Sequence, residues 1–205
     1  KVLSSVTFVS TSENPPIDQR KILFQVDDGI AKSKRAKRYI DVTAINDQPE
    51  IVALDFVTAV EDAQFLFSSS NNNEIIIVDL DQDVVEVTIS VNSGSLDINR
   101  VTGVEVITEF EDNGSYRIKF QGLVKNVNTA LSGLIYTPSE NFSGFSADVL
   151  QLIVADKGNT GTGGVLIDNH SVAIHISSVN DAPVISAPAS ATVDEGESFT
   201  FSNSN

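Results

Sequence analysis

The chain has 205 residues and carries 13 Lys and Arg against 28 Asp and Glu, a net charge of −15. A hydrophobic fraction of 41% with only 20% charged residues supports a packed core rather than a disordered polymer, and the length admits one or two domains at about 100–200 residues each. The absence of Cys excludes disulfides, thiolate metal sites and thiol nucleophiles, and no apolar run approaches the ~20 residues of a membrane helix.

The charge is segregated. Residues 1–45 hold eight basic and five acidic side chains, and residues 46–205 hold five basic and 23 acidic, so a segment of +3 precedes one of −18. A compact unit at −18 repels itself unless cations offset the charge. Such a region suits divalent cations, which prefer oxygen ligands, and is a poor partner for nucleic acid, whose phosphates need the opposite sign. The sequence shows neither an initiating Met nor a secretory signal pattern, and reads as a piece of a longer protein.

In chain order, residues 1–49 contain Leu3–Phe8, Ser12–Glu–Asn14, Leu23–Gly29, the basic run Lys32–Arg38 and a boundary motif, Asn46–Asp47–Gln–Pro49. The same blocks recur in the same order: Leu131–Tyr136, Ser139–Glu–Asn141, Leu152–Gly158 and Asn180–Asp181–Ala–Pro183. The boundary motifs are 134 residues apart, and Val60–Glu61–Asp62 is echoed by Val193–Asp194–Glu195. This is an internal repeat. It divides the chain into the C-terminal part of one unit (1–46), a complete unit (47–180) and the first strands of a third (181–205).

Within the complete unit the pattern is β. Ile51–Val57, Gln64–Ser68, Val84–Val91, Ser115–Gln121, Val149–Ala155 and Ser171–Val179 are short runs rich in Val, Ile and Phe, many of them alternating, separated by Gly- and Asn-rich turns. Leu123–Leu131 is the exception. Val124, Val127, Ala130 and Leu131 fall at helical spacing and predict two turns of helix ending near Gly133. Regular strands with one short helix predict an all-β sandwich.

The ordered set of Asn–Asp–x–Pro boundaries, Val78–Asp79–Leu–Asp81–Gln–Asp83, Gly158–Gly164 and Leu131–Gly144 resembles the cadherin-like tandem repeats of very large bacterial surface adhesins. It is similar also to the proteoglycan-type repeats of some extracellular matrix proteins. The resemblance spans essentially the whole chain. It implies cadherin/immunoglobulin-like sandwiches with one connecting helix per unit, stacked outside the cell at a surface or in a matrix. It also implies a noncatalytic structural or adhesive role, with Ca2+ at the junctions and neighbouring repeats as partners.

Calcium takes six to eight oxygens from carboxylates, carbonyls and Asn side chains. By the resemblance, Asn46, Asp47, Glu61, Asp62, Asp79, Asp81, Asp83, Asp156, Asn180, Asp181, Asp194 and Glu195 would converge on ions shared between units. The competing reading is that Asp and Asn are simply common in turns, where they bond nearby backbone. Other calcium motifs fail: an EF-hand from Asp79 would need Gly and Glu where Val84 and Ser90 stand. Gly163–Gly–Val–Leu–Ile–Asp168 breaks the calcium-roll pattern.

The run Lys32–Ser–Lys–Arg–Ala–Lys–Arg38 reads either as a solvated hairpin tip or as a dock for a polyanion or for an acidic neighbour. Asn113, Asn141 and Asn169 form glycosylation sequons that matter only in a secreted eukaryotic protein. His170 and His175, five apart, fall on opposite faces of a strand and form no pair. No nucleophile triad or phosphate loop is recognisable. The alternative to a structural rod is a carbohydrate- or protein-binding module, with polysaccharide or a cell-surface protein as partner. The absence of Trp and the presence of only three Tyr give a sugar platform little material.

Overall fold

The structure is a computed structural model that describes residues 5–81, 84–112, 114–158, 160–187 and 189–200. Asp83, Asn113 and part of the Leu3–Phe8 block, all singled out above, lie outside the described residues. The chain is all-β with one α-helix among the described residues.

A six-stranded sheet organises the complete unit. Its strands are β4 (Phe56–Val60), β7 (Val84–Val91), β9 (Val104–Asp112), β10 (Ser115–Leu123), β12 (Gly144–Ala155) and β13 (Ile167–Ser177). They lie in the order β4-β13-β12-β7-β10-β9, antiparallel except that β4 runs parallel to β13. The alternation in Val84–Val91 explains the central position of β7: Val85, Val87, Ile89 and Val91 point to the buried face. Ile89 sits opposite Ile118 on one neighbour and Leu152 on the other, and Val87 sits opposite Phe120 and Val154.

Two smaller sheets supply the rest of the core. β3 (Glu50–Val52) pairs with β6 (Ile76–Val78), and β11 (Ile135–Thr137) lies between β5 (Phe65–Leu66) and β8 (Ser95–Asp97). Ile51, Ile77, Phe67, Leu96 and Tyr136 join Ile89, Phe120, Leu152 and Ile174 in one buried apolar cluster. The helix α1 (Val124–Leu131) completes it with Val127, Ala130 and Leu131, the face expected from their spacing. Asn128 on α1 closes the edge of β6 by imitating a strand: its Oδ1 accepts from the Ile77 N–H at 2.8 Å, and its Nδ2 donates to the Ile77 carbonyl at 2.8 Å.

The predicted run Ile51–Val57 is divided. β3 ends at Val52, the chain crosses at Ala53–Asp55, and β4 begins at Phe56 in the larger sheet. An apolar run does not reveal a change of sheet, because both halves bury one face. The backbone of Asp55 accepts from the Ala173 N–H at 2.8 Å, which starts the new ladder.

Outside the complete unit, residues 5–46 contain a hairpin of β1 (Arg20–Phe24) and β2 (Ala36–Ile40). It occupies the repeat position of β12 and β13. Among residues 181–187 and 189–200 no strand is formed; Asp194 and Glu195 lie in a turn closed by the Glu197 N–H on the Asp194 carbonyl. Among the described residues no helix is long and apolar enough to cross a membrane.

Candidate metal centre at the unit boundaries

β12 and β13 form one antiparallel ribbon, with Gly144 opposite Ile176 at one end and Ala155 opposite Ile167 at the other. The acidic residues gather at its two ends, roughly 35 Å apart at about 3.4 Å per residue.

At the first end the incoming chain docks on the loop that follows β12. Ile45 makes a parallel bridge with Thr162. The Asn46 N–H donates to the Thr162 carbonyl at 2.9 Å, and the Thr162 N–H donates to the Ala44 carbonyl at 3.0 Å. Gly161–Gly164 therefore form a docking slot for the linker. Its glycines fit that use: at Gly161 (φ +73°) an added Cβ would lie 2.6 Å from the Ala44 backbone.

Asn46, buried, donates through Nδ2 to Asp156 Oδ2 at 2.5 Å and to the Gly164 carbonyl at 3.0 Å. Asp156, also buried, accepts through Oδ1 from the Gly158 and Leu166 N–H groups at 2.8 and 2.9 Å. The half-buried Asp47 gives its N–H to Asp81 Oδ2 at 2.9 Å, and Asp79 Oδ1 accepts from the Asp81 N–H at 2.8 Å. Asn14, from the preceding unit, donates to the Asp81 carbonyl at 3.1 Å.

Asp81 is 4% exposed, yet its Oδ1 has no hydrogen-bond partner among the described residues. Burying a carboxylate oxygen without a donor is costly. An oxygen-seeking cation at that atom would remove the cost. Among the described residues, the one group of three carboxylates whose oxygens come close enough to share an ion lies at the other end.

At the second end, β4 delivers Glu61 and Asp62 beside the exit of β13. The Glu61 N–H donates to the Ser177 carbonyl at 3.0 Å, and Glu61, 5% exposed, accepts through Oε1 from the Val179 N–H at 2.5 Å. Asp62, at φ +59°, accepts through Oδ1 from the Asn141 N–H at 3.0 Å. Carboxylate oxygens of Glu61, Asp62 and Asp181 lie within 4.8 Å of one another. Asn180 is exposed and donates to the Asp181 carbonyl at 3.2 Å. Asp194 and Glu195 are exposed and belong to neither group.

Of the twelve candidate residues the structure places nine at the two ends: Asn46, Asp47, Asp79, Asp81 and Asp156 at one, Glu61, Asp62, Asn180 and Asp181 at the other; Asp194 and Glu195 are at neither, and Asp83 lies outside the described residues. Asn14 and Asn141 were not read as site residues. The matched blocks Ser12–Glu–Asn14 and Ser139–Glu–Asn141 carried the signal, since each Asn reaches its own unit's downstream boundary. The sequons Asn141 and Asn169 are exposed.

One buried carboxylate lies away from the boundaries. Asp148 accepts from the Asn92 and Ser93 N–H groups at 2.9 and 3.1 Å and from the Tyr136 hydroxyl at 3.0 Å. Burial, with the Asp148 charge and hydrogen bond adding to it, pushes the Tyr136 phenol far above its usual range. On the surface, burial and the bond to Glu109 push Tyr116 up to about 12, while the Tyr116 hydroxyl and then Arg100 hold Glu109 low. His170 and His175 face opposite ways. His170 Nε2 lies 3.2 Å from the Leu54 carbonyl, and His175 stacks on Phe145 with ring centroids 4.1 Å apart.

Compared with known proteins, the chain matches no family model and no curated protein.

Proposed function

We propose that this chain is a noncatalytic segment of an extracellular rod built from cadherin-like β-sandwich repeats, whose boundaries are stiffened by Ca2+. One observation carries the reading: side chains with oxygens suited to a cation gather at both ends of the complete unit, around Asp81 and Asp156 at one and Glu61, Asp62 and Asp181 at the other. The repeat makes Asn46–Asp47 and Asn180–Asp181 equivalent. By that equivalence a complete boundary would combine Glu61 and Asp62 from the upstream unit, the Asn–Asp pair from the linker, and Asp79, Asp81 and Asp156 from the downstream unit. A bound ion would supply positive charge that draws these oxygens together. The protein's own part is to hold them: the Thr162 bridge and the Asn46–Asp156 bond seat the linker, and backbone N–H groups fix Asp156, Asp81 and Glu61.

The test is thermal melting with calcium and with chelator. A ligand that binds only the folded state at about 100 times its Kd adds about 2.7 kcal/mol, which corresponds to an increase in Tm of roughly 5–10 °C for a domain of this size. Asp81→Asn should remove most of that increase while leaving the chelated Tm nearly unchanged. Equal melting temperatures with and without calcium would remove the metal from the proposal.

A further inference from the structure

We propose that two copies of this chain associate side by side in antiparallel orientation, the basic β1–β2 hairpin of each resting on the acidic edge strand β9 of the other. This goes beyond the rod reading and needs no metal.

The hairpin and its connection carry Lys21, Lys32, Lys34, Arg35, Lys37 and Arg38, all exposed. Lys32 lies 3.6 Å from Asp27; among the described residues the other five have no carboxylate within ion-pair distance. In a chain with 28 acidic residues this is an unusual set of uncompensated cations. The fold does not require them. At the repeat offset of 134, Lys34, Arg35, Lys37 and Arg38 correspond to Asp168, Asn169, Ser171 and Val172 in the complete unit, which builds the same ribbon without a basic residue there. The strand register puts Lys37 opposite Leu23 and Lys21 opposite Tyr39, so one face combines two ammonium groups with two half-exposed apolar bodies.

The matching surface is in the same sequence. β9 is the outer strand of the six-stranded sheet, and Glu105, Glu109, Glu111 and Asp112 are exposed along it. Arg100 pairs with Glu109, whereas Glu111 and Asp112 have no cation within ion-pair distance among the described residues. A free polyanion meets only the +3 segment and is repelled by the −18 segment beside it. A second copy in antiparallel orientation sets +3 against −18 twice, and a parallel one sets like against like. Screening over about 8 Å at physiological salt lets these local contacts outweigh the net charge. The pair is two-fold symmetric and closes on itself.

Sedimentation velocity of the full chain in chelator should show a dimer at about 0.15 M salt that dissociates at about 1 M. A hairpin variant (Lys34→Glu, Arg35→Glu, Lys37→Glu) and a strand variant (Glu105→Lys, Glu111→Lys, Asp112→Lys) should each dimerise at least about tenfold more weakly alone. Mixed together they should pair again, since one contact then has the wild-type charges and the other has the same attraction with the signs exchanged. Circular dichroism establishes that both variants keep the fold. Zero-length amine–carboxyl cross-linking of isotopically mixed wild type should join Lys34 or Lys37 of one copy to Glu105, Glu111 or Asp112 of another. A monomer at every salt concentration, salt-independent association, a mixture that fails to pair, cross-links confined to other carboxylates, or capture by heparin without self-association would each overturn the proposal.

Discussion

Asp148 shows how one side chain can fix a corner of the fold. It enters β12 just after the irregularity between Gly144 and Asp148, and its carboxylate satisfies two backbone N–H groups after β7 as well as the Tyr136 hydroxyl. Tyr136→Phe keeps the ring and deletes the donor, so stability should fall by about 1–2 kcal/mol in urea unfolding. The phenol donates only while protonated. Its folded pKa lies above the unfolded value of 10.0, so its contribution is complete below about pH 10 and is lost at higher pH. The difference between wild type and Tyr136→Phe should therefore be constant from pH 7 to 9 and shrink in more alkaline solution; a difference unchanged at high pH would count against the assignment. This pair was not legible in the sequence. Tyr136 reads as one more strand aromatic, and Asp148 as one of many acids. The partial first unit has Phe8 at the position of Tyr136, so the repeat itself did not point to a hydroxyl. Asn46, Asp47, Glu61 and Asp156 were legible because their pattern recurs at boundaries. Asp81 became distinct only when burial was known.

At the scale of elements, β7 and α1 followed from periodicity alone, because each buries one stripe against the core. The division between β3 and β4 did not, since the apolar run continues through a change of sheet. The Gly158–Gly164 loop is the clearest example of an element whose role depends on a distant partner. Its glycines alone do not name a partner; folded, it receives the linker through the Ile45–Thr162 bridge. Gly161→Val places a β-branched side chain at φ +73° and against the Ala44 backbone. The linker should leave the slot, so hydrogen exchange at the Asn46 and Thr162 amides should accelerate by more than about tenfold, a loss of over about 1.4 kcal/mol of local stability. Core amides such as those of Ile89 and Leu152 should remain protected. Uniform acceleration would mean that the loop belongs to the general core, not to the boundary.

Over the whole molecule, the sequence conveyed the repeat, the β class and the charge asymmetry, all of which are sums over many residues and tolerate local error. It did not convey which acids share an end, because that depends on strand direction. Direction has a mechanical consequence. β4 follows the entry boundary, β13 precedes the exit, and the two run parallel with Phe56 opposite Ala173 and Val60 opposite Ser177. Tension applied through the two ends of the complete unit pulls these strands in opposite directions along their own axes, so the ladder bonds bear the load together in shear instead of opening one by one. In single-molecule pulling, a unit stretched through residues 47 and 180 should resist several-fold more force than one pulled apart across the open edge of β9. The parallel pair acts as a tensile latch against load applied between residues 47 and 180.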